Sequence, residues 1–442
     1  MDTAQKKSLL RRSAGNFRAL AWSALAIGLI SAPPASAGGL LLYEVGTDDV
    51  GLASAGYGAR AQDASTVLTN PAGMTRLEGT QVLLGTQLLY QDASFSPGSG
   101  TSPGLGTGDG GNAIGFFPGA SAFYTQQLSS DVTVGMGLAG NFGLAEKYDD
   151  DWVGRYYVRE STLIGISLLP SIAYKVDDKF SVGASLNAMY GNFEDKVAIN
   201  NIIGDDGALK LDDKEWGWGV NLSMLYEFSP DTRIGLTYTS EVDLDFSAKA
   251  EFSGLSPGLE ALLNSRGLLN APIDLGIKVP QTLMVSGFHQ LDEQWALLSS
   301  VGWQDWSRFG RVDVTVDSSN PTSLTTSLPF QDTWHAALGA QYQLNEPWRI
   351  NFGIAYDSDF QEGSFVSPVL PAGAVWRFGV GARQQVNESF HWGPAIEYGW
   401  GGDLDVNIQS AAPVAVGGRG DVVGTYKDSY GLFVAANFGW DF

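Results

Sequence analysis

The stretch WGWGVNLSMLYEF, Trp216 to Phe228, alternates for thirteen residues without a break. One face reads Trp216, Trp218, Val220, Leu222, Met224, Tyr226 and Phe228; the other reads Gly217, Gly219, Asn221, Ser223, Leu225 and Glu227. A period of two is the mark of a strand, whose successive side chains point to opposite faces. Strands of soluble proteins most often run about 5–6 residues, whereas a tilted strand crossing a bilayer needs about 9–11. The apolar face begins in Trp and ends in Phe, as expected where aromatic residues sit at both membrane interfaces. The stretch therefore predicts a membrane-spanning strand with its apolar face to lipid. Its small polar face would line a wet or ligand-bearing interior.

The same pattern recurs outward from it. IGLTYTSEVDLDF, 234–246, reads as one strand with Ile234, Leu236, Tyr238, Val242, Leu244 and Phe246 on a single face. The last residues place Tyr430, Leu432, Val434, Ala436, Phe438, Trp440 and Phe442 together. Short polar turns fall at 128–131, 176–179, 229–231, 291–294, 344–347 and 386–389. Long stretches rich in Gly, Asp, Ser and Pro lie between them, at 95–117, 144–162, 192–214, 247–279, 308–331, 358–374 and 401–428. Six short turns alternating with seven long loops predict an all-β fold, a 14-stranded antiparallel transmembrane β-barrel with both ends on the short-turn side. A closed barrel also satisfies every backbone group in lipid. A soluble sandwich or propeller would have to explain the long aromatic-ended strands and the closing FVAANFGWDF.

Composition agrees. The 442 residues include 56 Gly and no Cys, with 12% aromatics, so neither a disulfide scaffold nor a thiolate metal site is expected. Residues 1–37 read as a secretory signal peptide: Lys6, Lys7, Arg11, Arg12 and Arg18, then the apolar ALAWSALAIGLI, then SAPPASA ending at Ala37. The Arg11–Arg12 pair resembles a twin-arginine signal, but a barrel should cross unfolded. Without those five basic residues and Asp2, the net charge moves from −22 to −26, which disfavours nucleic acid as a partner. No later run of 18 apolar residues would form a transmembrane helix.

Residues 38–78 contain no barrel-like strand, and 79–442 carry the barrel. A fourteen-stranded barrel is wide enough for a channel unless filled, so the compact N-terminal segment predicts a plug. That segment, EVGTDDVGLASAGYGARAQDASTVLTNPAGM (Glu44 to Met74), resembles the N-terminal hatch of FadL-type outer-membrane transporters, which carry long-chain fatty acids and aromatic hydrocarbons. Asn70, Pro71 and Ala72, followed by Gly73, match that family's hatch motif. GMGLAGNFGLAEKYDDDWVGRYY (135–157) and LLPSIAYKVDDKFSVGASLNAMYG (168–191) resemble its third to fifth strands. The resemblance implies a monomeric barrel in the outer membrane of a Gram-negative bacterium, among outer-membrane lipid and lipopolysaccharide. It implies uptake of a hydrophobic small molecule, caught at the outer loops, passed to an internal pocket and released sideways at a kink in the third strand. NFGL places that kink at Asn141, Phe142 and Gly143. A strand Gly suits a bulge independently of the family.

Candidate ligand contacts follow. Leu255, Leu259, Leu262 and Leu263 lie in a long leucine-rich loop, and the last three fall at i, i+3, i+4, predicting a short amphipathic helix. Such a cluster reads either as an outer capture groove or as packing over the barrel mouth. Leu40, Leu41 and Leu42 read as pocket lining or as wall packing. Arg155, Arg159, Lys210, Arg233, Arg377 and Arg383 are all possible partners for a ligand carboxylate, with inward acids such as Glu241 and Asp243 as competitors. The acidic runs Asp149–Asp151 and 204–215 lack EF-hand spacing and read as solvated loop charge. His289, His335 and His391 are not followed two residues on by Ser, and Asp332 and His335 would face opposite sides of a strand. No catalytic residue, cofactor or metal is expected. A structural or adhesive barrel, a general porin and a channel for monoaromatic hydrocarbons rather than fatty acids are the alternatives.

Overall fold

The computed structural model describes residues 40–269, 271–309, 311–316, 322–327, 330–361 and 366–442. The signal-peptide reading of 1–37 lies outside the described residues. Fourteen strands follow one another around the wall. They are β1 (Thr80–Asp92), β2 (Gly115–Gln127), β3 (Val132–Lys147), β4 (Glu160–Lys175), β5 (Phe180–Ile199), β6 (Gly207–Ser229) and β7 (Thr232–Thr239). The second half comprises β8 (Thr282–Gln290), β9 (Trp295–Gln304), β10 (Thr333–Asn345), β11 (Trp348–Asp357), β12 (Val375–Asn387), β13 (Phe390–Ile408) and β14 (Val422–Asp441). Each pairs antiparallel with the next, and β1 pairs with β14 to close the ring. The fourteen-strand architecture expected from the turn spacing is the observed one.

The decisive stretch shows why a soluble fold would fail. On β6, Trp218 is 61% and Leu222 51% exposed, while Asn221 and Ser223 are 3% and 8% exposed. The apolar face points outward and the polar face inward, the reverse of a soluble core. Among the described residues no helix is long and apolar enough to cross a membrane. Exposed aromatics mark both rims: Trp218, Trp334, Trp376 and Trp400 toward the long loops, and Tyr124, Tyr174, Tyr226 and Trp295 toward the short turns.

Two expectations are corrected. The stretch 234–246 is not one strand. β7 stops at Thr239, and Val242–Lys249 belongs to a separate four-stranded sheet, paired with Pro272–Val279. Val242, Leu244 and Phe246 keep the alternation but are buried, because the chain leaves the wall and packs into an apolar cluster with Phe142, Met189, Trp306, Phe309, Phe330 and Phe360. Lipid-facing and core-facing apolar residues look alike in sequence, so the alternation hides the break. Second, 192–214 and 401–428 are not wholly loops: β5–β6 and β13–β14 run on as long hairpins. Their upper residues are charged, as at Glu194, Asp195, Lys196, Asp212 and Asp213, so the strands lose the apolar face that marks the membrane portion.

Candidate functional site: two chambers at a break in the wall

β2 and β3 pair only from Ser121–Ala139 to Gln127–Thr133. Beyond that, Gly115 to Ser121 of β2 stay with β1, while β3 turns away. The β3–β4 register shifts between Gly140 and Phe142, the signature of a bulge. Gly143 has φ +130°, and a Cβ built there would lie 2.1 Å from the Leu163 carbonyl oxygen. No other residue type fits this backbone unstrained. Leu40–Leu42 occupy the edge that β2 vacates. The Leu42 amide donates to the Asn141 carbonyl at 2.9 Å, and the Gly143 amide donates to the Leu40 carbonyl at 2.8 Å. Leu41 sits opposite Phe142 as an antiparallel bridge pair. The N-terminal chain thus supplies backbone partners that a broken wall would otherwise lack.

The rest of the N-terminal segment touches inward-facing groups all round the ring. The Asn70 side-chain amide donates to the Gly58 carbonyl at 2.5 Å and to the Met224 carbonyl at 3.1 Å. Pro71 opens a short 3₁₀ turn, where its missing N–H costs nothing, and the Ala72 amide donates to Ser223 Oγ at 2.9 Å. A Cβ on Gly73 would meet Thr66 and Ala61 side chains at 2.8 and 2.9 Å, so the turn packs on its own segment. On the wall, Gly235 admits the Gly58 carbonyl, which would stand 1.8 Å from any Cβ there.

Charge holds this body as well. Asp49 pairs with Arg60 at 2.6 Å, Asp48 with Arg349 at 2.9 Å, and Asp63 with Arg383 at 3.1 Å. Burial alone would raise Asp48, but the Arg349, Arg383 and Arg60 guanidiniums overcome it and hold that carboxyl well below the usual range. Asp63 is also held low: burial opposes this, and Arg60 and Arg383 outweigh it. Asp49 moves up because burial outweighs its pairing with Arg60.

Two chambers flank Leu41–Tyr43. The larger encloses about 1060 Å³ of space between protein atoms, part of it open to solvent. Leu40, Leu41, Leu42, Leu89, Leu404 and Phe433 give it apolar walls, with Tyr43, Glu44, Asp357 and Arg377 on one side. Arg377 pairs with Glu44, with Asp357 at 3.2 Å and with Glu397 at 3.7 Å. His335 bonds Asp357 at 2.7 Å, and Gln304 donates to the Tyr43 hydroxyl at 2.5 Å. The smaller chamber, about 710 Å³ by the same measure, is lined by Asn141, Asn187, Asn221, Thr237, Thr239 and Thr282 beside apolar residues such as Leu68, Leu169 and Met284.

The structure sorts the six candidate cations. Arg377 alone of them lines either chamber. Arg155 pairs with Asp206, Arg159 with Asp150, and Lys210 with Asp212. Arg233 donates to the Ala59 and Arg60 carbonyls and stacks on Phe288, and Arg383 holds Asp63. Glu241 and Asp243 meet Lys278 and Arg308 instead. Leu40–Leu42 and Gly143 come together at the larger chamber, and Asn141 at the smaller. The leucine-rich loop forms the expected helix, Pro257–Ser265, with Leu255, Leu259 and Leu263 half-buried and Leu262 46% exposed; these four line neither chamber. Sequence reasoning missed Tyr43, Glu44, Gln304, Thr333 and Asp357. Gln304, Thr333 and Asp357 signalled only as polar residues near strand ends, and Tyr43 and Glu44 as polar residues of the N-terminal segment.

A fourteen-stranded barrel of this connectivity has known counterparts. The family model described as outer membrane protein transport protein (OMPP1/FadL/TodX) matches residues 28–442. The chain belongs to this family. It is 28% identical over 418 residues to a long-chain fatty acid transport protein of Escherichia coli O6:H1, covering 85% of this chain and 91% of that one. It is 30% identical over 370 residues to outer membrane protein P1 of Haemophilus influenzae, covering 74% and 79%. In fold it is similar to a Pseudomonas aeruginosa FadL homologue, at TM-score 0.81 and 20% identity over 92% of this chain and all of that one. The Pseudomonas putida toluene transporter TodX aligns at TM-score 0.63 and 17% identity, over 89% of this chain and 99% of that one. This FadL-family chain is an outer-membrane uptake channel for hydrophobic compounds and not an enzyme.

Proposed function

We propose that the channel imports long-chain fatty acids through the larger chamber. The carrying observation is Arg377, the one cation among the described residues that line that chamber, with Glu44 of the N-terminal segment against it. A ligand carboxylate exchanges for Glu44 at the guanidinium, one anion for another, while the acyl chain lies along Leu40–Leu42, Leu89 and Phe433. Loss of the Glu44 contact loosens Leu40–Leu42 from β3, and ligand leaves sideways between β2 and β3 at Gly143. Residues 38–78 serve as the hatch, with Asn70–Gly73 as its fixed turn. The helix bearing Leu259, Leu262 and Leu263, with Leu255 before it, first captures ligand. The barrel works as a monomer among outer-membrane lipid and lipopolysaccharide. The name of the Escherichia coli relative supports this substrate class.

Binding of hexadecanoate, measured by calorimetry in lipid nanodiscs, tests the reading. Glu44→Gln removes the competing anion and strengthens hexadecanoate binding several-fold; Arg377→Gln weakens it about tenfold, near the 1.4 kcal/mol expected of one charged hydrogen bond. Unchanged affinity in both variants places the headgroup elsewhere. A second reading, uptake of monoaromatic hydrocarbons, draws support from the aromatic cluster of Phe142, Trp306, Phe309, Phe330 and Phe360 above the N-terminal end. A toluene arm in the same titration separates the two.

A further inference from the structure

Among the described residues that line the smaller chamber, none is charged. It is not simply apolar either. Asn187 and Asn221 are each 3% exposed, and their side-chain Oδ1 atoms, like that of Asn141, have no hydrogen-bond partner among the described residues. All three line this one space. A buried amide left unpaired costs about 1–3 kcal/mol, so three facing one cavity call for an occupant that hydrogen-bonds.

The register shows how the wall builds this polarity. Asn221 pairs with Thr239 across β6–β7, and Thr239 pairs with Thr282 across β7–β8. Thr282 pairs with Gln304 across β8–β9, and Gln304 with Thr333 across β9–β10. Five uncharged polar residues therefore form a belt at one level of the barrel. The belt starts in the smaller chamber and ends at Gln304 and Thr333, which line the larger one. Off the belt the lining mixes Asn141, Asn187 and Thr237 with apolar Leu68, Leu169, Met189, Val242 and Met284.

We propose that the smaller chamber binds the uncharged, hydrogen-bonding head of an amphiphile, of which a long-chain primary alcohol is the simplest member. A hydroxyl both donates and accepts, so it meets Asn carbonyl oxygens and Thr hydroxyls together. A carboxylate only accepts; here it would face carbonyl oxygens with no cation beside them. An alkane would leave the amides unpaired. The channel then has two subsites, one for an anionic head at Arg377 and one for a neutral head at the Asn cluster. The second does not depend on the first.

Calorimetry on the full chain in lipid nanodiscs, with dodecan-1-ol, dodecanoate and dodecane as probes, tests this. The alcohol binds saturably to the wild-type channel and at least five-fold more tightly than dodecane. Asn187→Leu with Asn221→Leu lowers alcohol affinity about tenfold, as expected for two lost hydrogen bonds, and leaves dodecanoate within twofold. Heat-modifiable gel mobility checks that the double variant folds; if it does not, Asn221→Leu alone lowers alcohol affinity about threefold. Three results overturn the proposal: no saturable alcohol binding, alcohol affinity unchanged in the variants, or alcohol and dodecanoate affinity falling together. Arg377→Gln is run beside them. Dodecanoate binding that ignores Arg377 defeats the anionic-head reading and leaves the Asn result standing.

Discussion

Two seams of the wall lie two strands apart and end differently. The β1–β14 seam, which closes the ring, pairs without interruption over twelve positions, from Gln81–Asp441 to Asp92–Tyr430. The β2–β3 seam pairs over seven and stops. Length does not explain it, since β2 has 13 residues and β3 has 16. The difference is the backbone at Gly143, which turns β3 inward, and the chain waiting there. In lipid an open edge costs several kcal/mol for each unsatisfied group. β3 avoids that cost by pairing with Leu40 and Leu42 instead of β2. The break is tolerated because another segment completes the ladder, and on the proposed route freeing that segment opens the wall.

The sharpest way to break the comparison is to make the open seam as permanent as the closed one. Leu41 and Phe142 are directly opposed, and such pairs have Cα atoms about 4.5–5.5 Å apart, within the range a disulfide bridges. The chain has no Cys, so Leu41→Cys with Phe142→Cys forms a single defined bridge. Uptake of labelled fatty acid by whole cells should fall by roughly tenfold or more if this contact gates release, and a reductant should restore it. Uptake that ignores the oxidation state means the N-terminal end does not move.

A smaller effect comes from the bend itself. Gly143→Val places a β-branched residue at φ +130° and forces its Cβ against the Leu163 carbonyl, a strain of about 1–3 kcal/mol that straightening β3 would relieve. We expect uptake about fivefold lower with ligand binding retained. Gly140→Val is the matched control: a Cβ there meets nothing within 4 Å, and uptake should be near wild type. Equal effects at both positions would show that any β3 glycine matters, and would remove Gly143 from its special place.

The body of the N-terminal segment should respond to acid, unlike its end. Asp48 and Asp63 are held below the usual carboxylate range, so their contribution to docking is complete above about pH 4 and is lost as pH falls through their lowered values. Asp49 is raised and has the opposite sign: its ionisation is a cost at neutral pH that protonation relieves. Two against one, ion conductance in planar bilayers should be small at pH 7 and rise below pH 4. Asp48→Asn leaves Arg349 and Arg383 short of a partner, a loss of about 3–5 kcal/mol for a broken buried pair, and should give larger openings already at pH 7. On the proposed route uptake depends on the end more than on the body, so it should drop only about two- to threefold. A quiet Asp48→Asn channel would show that shape alone holds the segment.

Much of this was legible in sequence because lipid imposes a simple rule. Alternation and turn spacing gave the strand number, and the family resemblance of NFGL singled out Gly143 among the four glycines of β3. What stayed hidden depends on which face meets what. Val242, Leu244 and Phe246 continue the alternation of Ile234 and Leu236, yet one set meets lipid and the other an internal cluster. The six candidate cations were indistinguishable until their partners were seen. Asn221 reads as one more residue of an inward polar face; only the missing hydrogen bond sets it apart.

The smallest effect belongs to the outer helix. Leu262 is 46% exposed on the outer helix and lines neither chamber, so Leu262→Ser should change stability by no more than about 0.5 kcal/mol. A capture role predicts a specific kinetic pattern. Initial uptake should fall about twofold when ligand is scarce, because fewer encounters are retained, and should not change when ligand saturates the inner chamber. A merely structural helix over the barrel mouth predicts no difference at either concentration. An equal fall at both would mean the helix acts on release rather than on capture, which would couple it to the β2–β3 seam after all.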